Sequence, residues 1–580
     1  MRAAIVLCTI LAALPATSQP RTAPVPDVER TRWFREAKFG IFVHWGAYSV
    51  VGRHEWARHK LQIPQAEYDK FAREFNPVKF NAGEWTNLFR SAGAKYVVIT
   101  SKHHDGFSIY RSRVSDYDME ITPYPGDPLK QLADAAQRDG LRLGFYHSIM
   151  DWKHPDYRPR RAWEHPKTYE EGGDMPRYLE FMRSQLRELL SDYGDVAMIW
   201  FDGEWEHKPE EIGADGIYDF IRSIQPNTLI NDRLYNRRPG NKADFGTPEQ
   251  FVPATGVTGP DGKPVLWESC VTINTESWGY NKFETEFKTS RDLIRMLIEV
   301  VSKGGNLLLN VGPRPDGTIQ PEFVERLQVM GRWMNVNSES IYETTASPFA
   351  RLPFYGRATV KGSTLFLHVF DWPKDRRIRV PGLNNIVNKA YLLGDRDAKV
   401  TTARDGDDIV VTLPERAPDD TASVVALQLD GTPRATPSFE KPNEEGVLTL
   451  SAAAAEVDTR FEQRVKTENI FGHVYFTRWT RPDDVPTWTL KVPKAGRYTV
   501  SLRYAAARPS KDLPFHIKAG ESLLTGKTEV TGDAQLFREF SIGTLQLKDG
   551  EQTIQVQSNA PAGAVAMNLE AVILKPAKAR

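Results

Sequence analysis

The sequence predicts an α/β protein in which an irregular (β/α) TIM-like barrel is followed by a β-sandwich and by a further C-terminal β-rich domain. Three observations lead to this prediction. The chain has 580 residues, which exceeds the usual size of one compact domain. β-Rich and helical segments alternate from about residue 30 to 340, and only strand-like segments separated by turns follow. The predicted ranges are 25–342 for the barrel, 343–430 for the sandwich, 431–446 for a Pro-rich linker and 447–580 for the last domain.

The barrel strands are predicted from short, continuous apolar runs, which are typical of parallel strands buried on both faces. These runs are Phe39–His44, Tyr96–Ser101, Leu143–His147, Ala197–Asp202, Thr228–Asn231 and Asn306–Val311. Helices are predicted where apolar residues recur with a helical period, at Leu129–Ala136, Tyr178–Leu190 and Leu293–Val301. About 300 residues of such repeats suit a barrel better than a doubly wound sheet.

The two later domains are predicted from alternating strand patterns. In the sandwich the strands are Thr364–Phe370, Ile409–Leu413 and Val424–Leu429, and in the last domain they include Tyr498–Tyr504, Gln552–Gln557 and Asn568–Leu574. The last domain resembles carbohydrate-binding β-sandwiches only loosely. Its aromatic residues have two interpretations, core packing, which we favour, and a platform for sugar: Tyr475, Phe476, Trp479 and Trp488.

The N-terminus has the pattern of a secretory signal peptide over residues 1–18. Arg2 precedes an apolar run and then small residues, and we expect cleavage after Ser18. The protein is therefore predicted to be exported, to the periplasm or the extracellular space. Because Cys8 leaves with the signal peptide, Cys270 is expected to be an inert buried thiol without an intrachain disulfide partner.

The composition excludes several classes of protein. Lys plus Arg and Asp plus Glu number 75 each, so no net field favours nucleic acid or an anionic membrane surface. No second apolar run reaches membrane-spanning length, and neither a nucleotide-binding glycine turn nor an H-E-x-x-H metal motif occurs. We therefore expect no nucleic-acid partner, membrane span, metal or other cofactor. The 14 tryptophans exceed what core packing needs and are compatible with a sugar-binding cleft.

Polar side chains follow the predicted barrel strands at their carboxyl ends, where the working groups of barrel enzymes lie. Each has a structural explanation by itself, but together they predict a shared polar cleft. Asp202 follows an apolar run, and Arg233 at the neighbouring strand end is suited to keep it ionised as a nucleophile. A metal site is the alternative. It is disfavoured because adjacent strand residues point to opposite faces, so His103 and His104 cannot both bind one ion unless the strand has already ended.

These motifs resemble the α-L-fucosidases of glycoside hydrolase family 29. The resemblance covers about residues 30–340 and rests on the following motifs in order: KFGIFVHWGAYSV (38–50), SKHHDGF (101–107), GFYHS (144–148), IWFDG (199–203), NDR (231–233), WESC (267–270), SWGYN (277–281) and NLLLNVGP (306–313). It implies an irregular barrel followed by a β-sandwich, a retaining mechanism and a fucosylated oligosaccharide or glycoconjugate as substrate. By the same resemblance Asp202 is the nucleophile. The residues around the fucose are then His44, Glu55, Trp56, His103, His104, Tyr146, Arg233 and Trp278.

The general acid/base has two candidates, because the family carries it on a loop of variable length. Glu249 follows the NDR arginine by about the interval seen in several relatives. Glu268 lies in the tighter WESC motif, whose regular surroundings suggest a structural carboxylate. We favour Glu249, and we expect burial near Trp278 and the nearby Asp202 charge to raise the pKa of the acid. Either Trp45 or Trp278 is expected to face the fucose methyl group.

An alternative hypothesis is that the chain is a secreted carbohydrate-binding protein whose barrel is catalytically inactive. The presence of Asp202, of a candidate acid and of the histidine set favours an enzyme.

Overall fold

The computed structural model describes residues 27–168, 171–238, 240–275, 277–350, 352–436, 439–457, 459–460, 466–470, 473–561 and 563–577. The predicted signal peptide, residues 1–18, lies outside the described residues. No helix within these ranges is both long and apolar enough to cross a bilayer.

The first part of the chain forms a curled parallel sheet of seven strands in the order β5-β4-β3-β2-β1-β8-β7. The strands, together with the short β6 that lies outside this sheet, are β1 Phe39–Val43, β2 Tyr96–Lys102, β3 Arg142–Ser148, β4 Val196–Asp202, β5 Leu229–Ile230, β6 Phe251–Val252, β7 Glu268–Thr272 and β8 Asn306–Val311. The predicted strands correspond to β1–β5 and β8, whereas β7 was not predicted.

Helices connect these strands. They are α1 Asp27–Arg30, α2 Arg32–Ala37, α3 Tyr48–Val51, α4 Ala57–Lys60, α5 Gln65–Glu74, α6 Ala82–Ala92, α7 Pro128–Asp139, α8 Met175–Asp192, α9 Ala214–Ile224, α10 Ser290–Ser302 and α11 Pro321–Asn337. The three predicted helices lie within α7, α8 and α10. Asp127 and Asp174 cap α7 and α8 through their carboxylates, and Gly140 ends α7 with a φ of 72°.

Residues 244–250 bridge the two edges of the sheet. On one side Asp232 N donates to Phe245 O, at the end of β5. On the other side Cys270 N donates to Pro248 O and Gln250 N donates to Cys270 O, along β7. This segment therefore occupies the eighth position of the barrel without forming a regular strand, and it carries Glu249 to the barrel mouth.

Successive strand residues face opposite layers, as the pleat requires. In β1, Ile41 and Val43 pack outward against the helices, whereas Phe42 points into the barrel. The interior cluster also contains Tyr146 and Trp200. Large aromatic rings thus fill the barrel beneath its mouth.

Two β-sandwiches follow the barrel. The first has sheets β12-β15-β10-β9 and β11-β14-β13. The second has a sheet in the order β18-β19-β26-β21-β24, with β16 also paired to β26, and a sheet β20-β25-β22-β23. The bounds are β9 Gly356–Lys361, β10 Thr364–Val369, β11 Arg377–Val380, β12 Val387–Leu392, β13 Thr401–Asp405, β14 Asp408–Thr412, β15 Ser423–Leu429, β16 Leu448–Ser451, β17 Thr459–Arg460, β18 Lys466–Ile470, β19 His473–Thr477, β20 Thr487–Val492, β21 Gly496–Ala505, β22 Pro514–Ala519, β23 Ser522–Lys527, β24 Arg538–Leu547, β25 Gly550–Ser558 and β26 Asn568–Pro576.

The last domain contacts the barrel through a strand pair. Its β17 pairs antiparallel with β6, in the register Thr459 with Val252 and Arg460 with Phe251. Because β6 begins two residues after Glu249, this pair lies directly beside the candidate acid/base segment.

The fold class predicted from the sequence, a TIM-like barrel followed by β-rich regions, is confirmed. Four aromatic residues of the last domain have two interpretations from the sequence, core packing and a platform for sugar. All four are buried: Tyr475, Phe476, Trp479 and Trp488. They belong to the core and do not form a platform for sugar.

Candidate active site

Asp202 is the last residue of β4 and lies at the barrel mouth. Its Oδ2 accepts a hydrogen bond from Tyr146 Oη at 2.8 Å and lies 3.6 Å from His104 Nε2, while its Oδ1 pairs with Arg233. Burial by itself raises the pKa of Asp202. The Arg233 charge, aided by His104 and the Tyr146 hydrogen bond, outweighs burial and holds the pKa at about 2. The carboxylate is therefore ionised at neutral pH.

The NDR motif fastens the end of β5 to β4 and to the bridging segment. Asn231 exchanges two hydrogen bonds with the backbone of Phe201, at 2.9 and 3.0 Å. Asp232 accepts a hydrogen bond from Thr247 Oγ1 at 2.8 Å, and Thr247 in turn accepts one from Arg233 Nε at 3.2 Å. The guanidinium of Arg233 is thus fixed in orientation before any substrate binds.

His44 and His104 present ring nitrogens that accept hydrogen bonds. Asn310 Nδ2 donates to the Trp278 carbonyl, so Asn310 Oδ1 must accept from His44 Nδ1 at 2.7 Å. Likewise Ser148 Oγ donates to a backbone carbonyl and accepts from His104 Nδ1 at 2.7 Å. Burial lowers the pKa of both rings, that of His104 to about 4. Both imidazoles are neutral, and each keeps an Nε2 acceptor for a hydroxyl group.

His103 packs between these two rings. Its ring centroid lies 4.1 Å from that of His104 and 5.8 Å from that of His44, and it stacks on Tyr146 at 5.4 Å. Burial lowers the pKa of His103 well below its usual value. Its Nδ1 is buried and has no protein hydrogen-bond partner among the described residues.

Glu55 positions Trp278. Its Oε2 accepts hydrogen bonds from the backbone N–H groups of Trp278 and Gly279, both at 2.9 Å. Burial tends to raise the pKa of Glu55, but hydrogen bonds from His54 and Gly279 bring it to about 2. Gly312 after β8 permits this arrangement, because a Cβ there would lie 2.7 Å from the Trp278 carbonyl oxygen. The half-buried Trp278 ring lies 5.2 Å from the His44 ring.

The two candidate acid/base residues occupy different surroundings. Glu249 is about one third exposed, and its Oε2 contacts Arg233 Nη2 at 2.7 Å and Arg237 Nη2 at 3.5 Å. Glu268 is fully buried, and its two oxygens accept from Tyr96 Oη at 2.7 Å and Trp200 Nε1 at 2.8 Å. Burial raises the pKa of Glu268 to about 7. Glu268 therefore joins the strands inside the barrel, whereas Glu249 faces the mouth.

The structure adds residues that sequence reasoning did not select. Trp200 stacks on Tyr146 at 5.8 Å, and its ring lies 4.4 Å below the Arg233 guanidinium. Glu204, two residues after Asp202, is buried and forms an ion pair with Arg237, with Nε 3.2 Å from Oε1. Burial raises the pKa of Glu204 to about 7. Glu204 could have been selected from the sequence, because its carboxylate lies only two residues after the candidate nucleophile Asp202.

Trp45 does not face the cleft. It is fully buried and packs against Phe75, Phe80 and Trp85 beneath the helices, so of the two expected aromatic walls only Trp278 lies at the site. Trp56 is half-buried, with its ring 5.1 Å from that of His104. No group of three His, Cys, Asp or Glu side chains suited to a metal was found in the described part of the chain.

Two carboxylates on one guanidinium, beside neutral imidazoles that can bind hydroxyl groups, fit the two-carboxylate chemistry of glycoside hydrolases. The comparisons with known proteins define the family. A family model described as Alpha-L-fucosidase matches residues 9–339. The tissue alpha-L-fucosidase of Bos taurus is 31% identical over 412 residues, covering 67% of this chain and 85% of the bovine protein.

Solved structures agree with this match. An alpha-L-fucosidase from Vibrio sp. strain EJY3 is 25% identical, with a TM-score of 0.71, and the alignment covers 95% of this chain and 98% of that one. A GH29 alpha-L-fucosidase from Bacteroides thetaiotaomicron, solved as a covalent intermediate trapped with 2-fluoro-fucosyl fluoride, is 28% identical. Its TM-score is 0.62, with 71% of this chain and 98% of that chain covered.

The chain therefore belongs to the α-L-fucosidase family, glycoside hydrolase family 29. Its relatives in sequence and structure support the activity of an α-L-fucosidase, a glycoside hydrolase.

Proposed function

We propose that Asp202 is the nucleophile of this α-L-fucosidase and Glu249 its general acid/base. The observation that carries the proposal is the position of Arg233, which binds Asp202 through Nη1 and Glu249 through Nη2. Carboxylates held by neighbouring nitrogens of one guanidinium lie close together, as a retaining pair about 5–5.5 Å apart must. Glu268 has both oxygens occupied and no access to the mouth, which supports the choice of Glu249.

The two steps then follow from the two environments. In the first step an Asp202 oxygen attacks the anomeric carbon, the glycosidic C–O bond breaks, and Glu249 transfers its proton to the departing oxygen. In the second step Glu249 removes a proton from water, the water oxygen bonds to the anomeric carbon, and the ester bond to Asp202 breaks. Arg233 and Tyr146 keep Asp202 ionised and oriented between turnovers.

We propose that the fucose is bound by the buried side chains around Asp202. His44 and His104 accept hydrogen bonds from its hydroxyl groups through Nε2, and the His103 ring between them is a third contact. Trp278, held by Glu55, forms a flat wall for the apolar part of the ring and its methyl group. Tyr146, Trp56 and Arg233 complete the set of fucose contacts implied by the family resemblance.

Trapping of the fucosyl-enzyme tests the assignment of Asp202. Incubation with 2-fluoro-fucosyl fluoride followed by peptide mass spectrometry is expected to place the added mass on the peptide that contains Asp202. Asp202→Asn keeps nearly the same shape but cannot form the ester, so we expect activity to fall by several orders of magnitude with an unchanged fold. Label on another carboxylate, or near wild-type turnover of Asp202→Asn with deamidation excluded, would reject the assignment.

We further propose that the enzyme acts outside the cytoplasm, after removal of residues 1–18. The support is the pattern of the N-terminal sequence, a basic residue followed by an apolar run and small residues. N-terminal sequencing of the protein recovered from the periplasm or the medium of an expressing cell is expected to begin near Gln19. Intact Met1 on a protein confined to the cytoplasm would contradict this.

A further inference from the structure

The cleft has a buried floor and an exposed rim. On the floor, His44, His103, His104 and Tyr146 are each at most 3% exposed. At the rim, the side chains of Glu249 and Arg237 are 34% and 42% exposed, and Trp205 is 48% exposed. Since an exo-acting enzyme buries the terminal sugar and leaves the rest of the glycan toward solvent, the rim is where the rest of the glycan must lie.

Trp205 stands on this rim in a fixed place. It lies three residues after Asp202, on the short turn Glu204–Glu206 that follows β4. Its ring stacks on Trp56 with centroids 6.0 Å apart and planes at 20°, and it meets the edge of His104 at 5.6 Å. Glu204 beside it is anchored by Arg237. The indole is therefore held by the same residues that line the site, although about half of its own surface is free.

The rim residues are linked to the candidate acid. Arg237 Nε contacts Glu204 at 3.2 Å while its Nη2 contacts Glu249 at 3.5 Å, so one guanidinium spans the distance from the Trp205 turn to Glu249. The leaving oxygen must lie within hydrogen-bond reach of the acid. The sugar that bears this oxygen then lies above Arg237, next to the exposed indole face.

We propose that Trp205 forms the subsite for the leaving sugar, stacking on the C–H face of the neutral pyranose that carries the fucose. This inference rests on the proposed role of Glu249, because the position of the acid fixes the side on which the leaving group departs. A flat aromatic ring offers a large contact area at low cost in conformational entropy. Trp205 is a specificity-determining residue in this view, and it takes no part in bond breaking.

A comparison of two substrates tests the proposal. α-L-Fucosyl fluoride has a leaving group that cannot reach Trp205, whereas a fucosylated disaccharide of defined linkage places a pyranose there. For Trp205→Ala we expect kcat/KM on the disaccharide to fall about fivefold to tenfold and kcat/KM on the fluoride to stay unchanged. Trp205→Phe, which keeps a smaller ring, is expected to lose less. Val336→Ala, a change to an equally exposed apolar residue on the outer helix α11, is the matched control.

A second readout uses the fucosyl-enzyme itself. With the fluoride as donor and a methyl pyranoside as acceptor, the ratio of transfer to hydrolysis is expected to fall in Trp205→Ala, because the acceptor binds where the leaving sugar was. Inhibition by free L-fucose should not change.

Three outcomes separate the explanations. Equal losses on both substrates, or weaker inhibition by L-fucose, would mean that Trp205 only supports Trp56 and His104, and would overturn the proposal. Unchanged kinetics on the disaccharide would also overturn it. A wild-type enzyme that is trapped on a residue other than Asp202, or whose Glu249→Ala variant keeps full activity on the disaccharide, would instead reject the proposed function. The two failures are therefore distinguishable.

Discussion

Replacing each candidate acid in turn separates Glu249 from Glu268. A general acid contributes about 10²–10⁴-fold when the leaving group is a poor one. For Glu249→Ala, kcat/KM is therefore expected to fall by about that factor on a fucosylated disaccharide. It should fall much less on fucosyl fluoride or a dinitrophenyl fucoside, because their leaving groups need no proton and kcat/KM does not include the second step. The basic limb of the pH profile should flatten in the same variant.

The structure also predicts chemical rescue. Removal of the Glu249 side chain uncovers the Nη2 atoms of Arg233 and Arg237, which lie 2.7 and 3.5 Å from its Oε2. Two guanidinium groups facing a vacated space attract a small anion. Azide should enter, attack the anomeric carbon of the β-linked fucosyl-enzyme from the face opposite Asp202, displace the Asp202 carboxylate and give α-fucosyl azide, which NMR identifies.

Glu268→Ala should behave differently. It leaves the Tyr96 hydroxyl and the Trp200 N–H buried without an acceptor, at about 1–3 kcal/mol for each donor. We expect a lower midpoint of denaturation and no azide rescue. Rescue in Glu268→Ala alone would reverse the assignment, and rescue in neither variant would show that both residues are wrong.

Three further perturbations test other parts of the structure. Glu268, whose folded pKa is about 7 against 4.5 when unfolded, contributes stability below pH 4.5 that is lost as the pH rises through 7, so between pH 5 and pH 8 the free energy of unfolding of wild type should fall by roughly 2–3 kcal/mol relative to Glu268→Gln. Denaturant titration measures this, and equal pH slopes would refute it. Gly203→Ala should lower both Tm and kcat, because Gly203 has a φ of 77° and a Cβ there would lie 2.7 Å from Met150 Cβ. Wild-type values of Tm and kcat in this variant would contradict the argument from backbone strain. Deletion of residues 447–580 removes β17, the strand that pairs with β6 beside Glu249. It should lower kcat/KM on a disaccharide more than kcat/KM on fucosyl fluoride. If both values of kcat/KM were retained to the same extent, the strand pair would not position Glu249.

Much of the barrel could be predicted because its strands are read from local sequence. β1, β2, β4 and β8 are continuous apolar runs, and their polar carboxyl-terminal residues converge as parallel strands require. β7 was missed because Glu268-Ser269-Cys270 lacks that signature. Its glutamate is buried only because Tyr96 and Trp200, distant in sequence, supply donors.

The candidate site was predictable to the same extent. The pairing of Asp202 with Arg233 followed from adjacent strand ends, and the structure brings the two together. The surroundings of Glu249 were predicted wrongly. Burial near Trp278 was expected, but the side chain is about one third exposed and lies beside Arg233 and Arg237. It belongs to an irregular segment, and no periodic sequence pattern predicts the path of such a segment. The exposed indole of Trp205 was overlooked for a related reason, since exposure at a rim depends on neighbours far along the chain.

The two carboxylates proposed for catalysis differ in how easily they can move during evolution, because only Glu249 lies on the irregular segment at the eighth position of the barrel. Asp202 is tied to the register of β4, so moving it means moving a strand and everything packed on both its faces. Glu249 belongs to a segment held by a handful of backbone hydrogen bonds, with long connections on either side. Insertions in those connections can change which glycans reach Glu249 while Asp202 stays in place. For enzyme engineering, residues 238–243 and 253–266 are therefore the segments in which to change the glycan specificity without rebuilding the barrel.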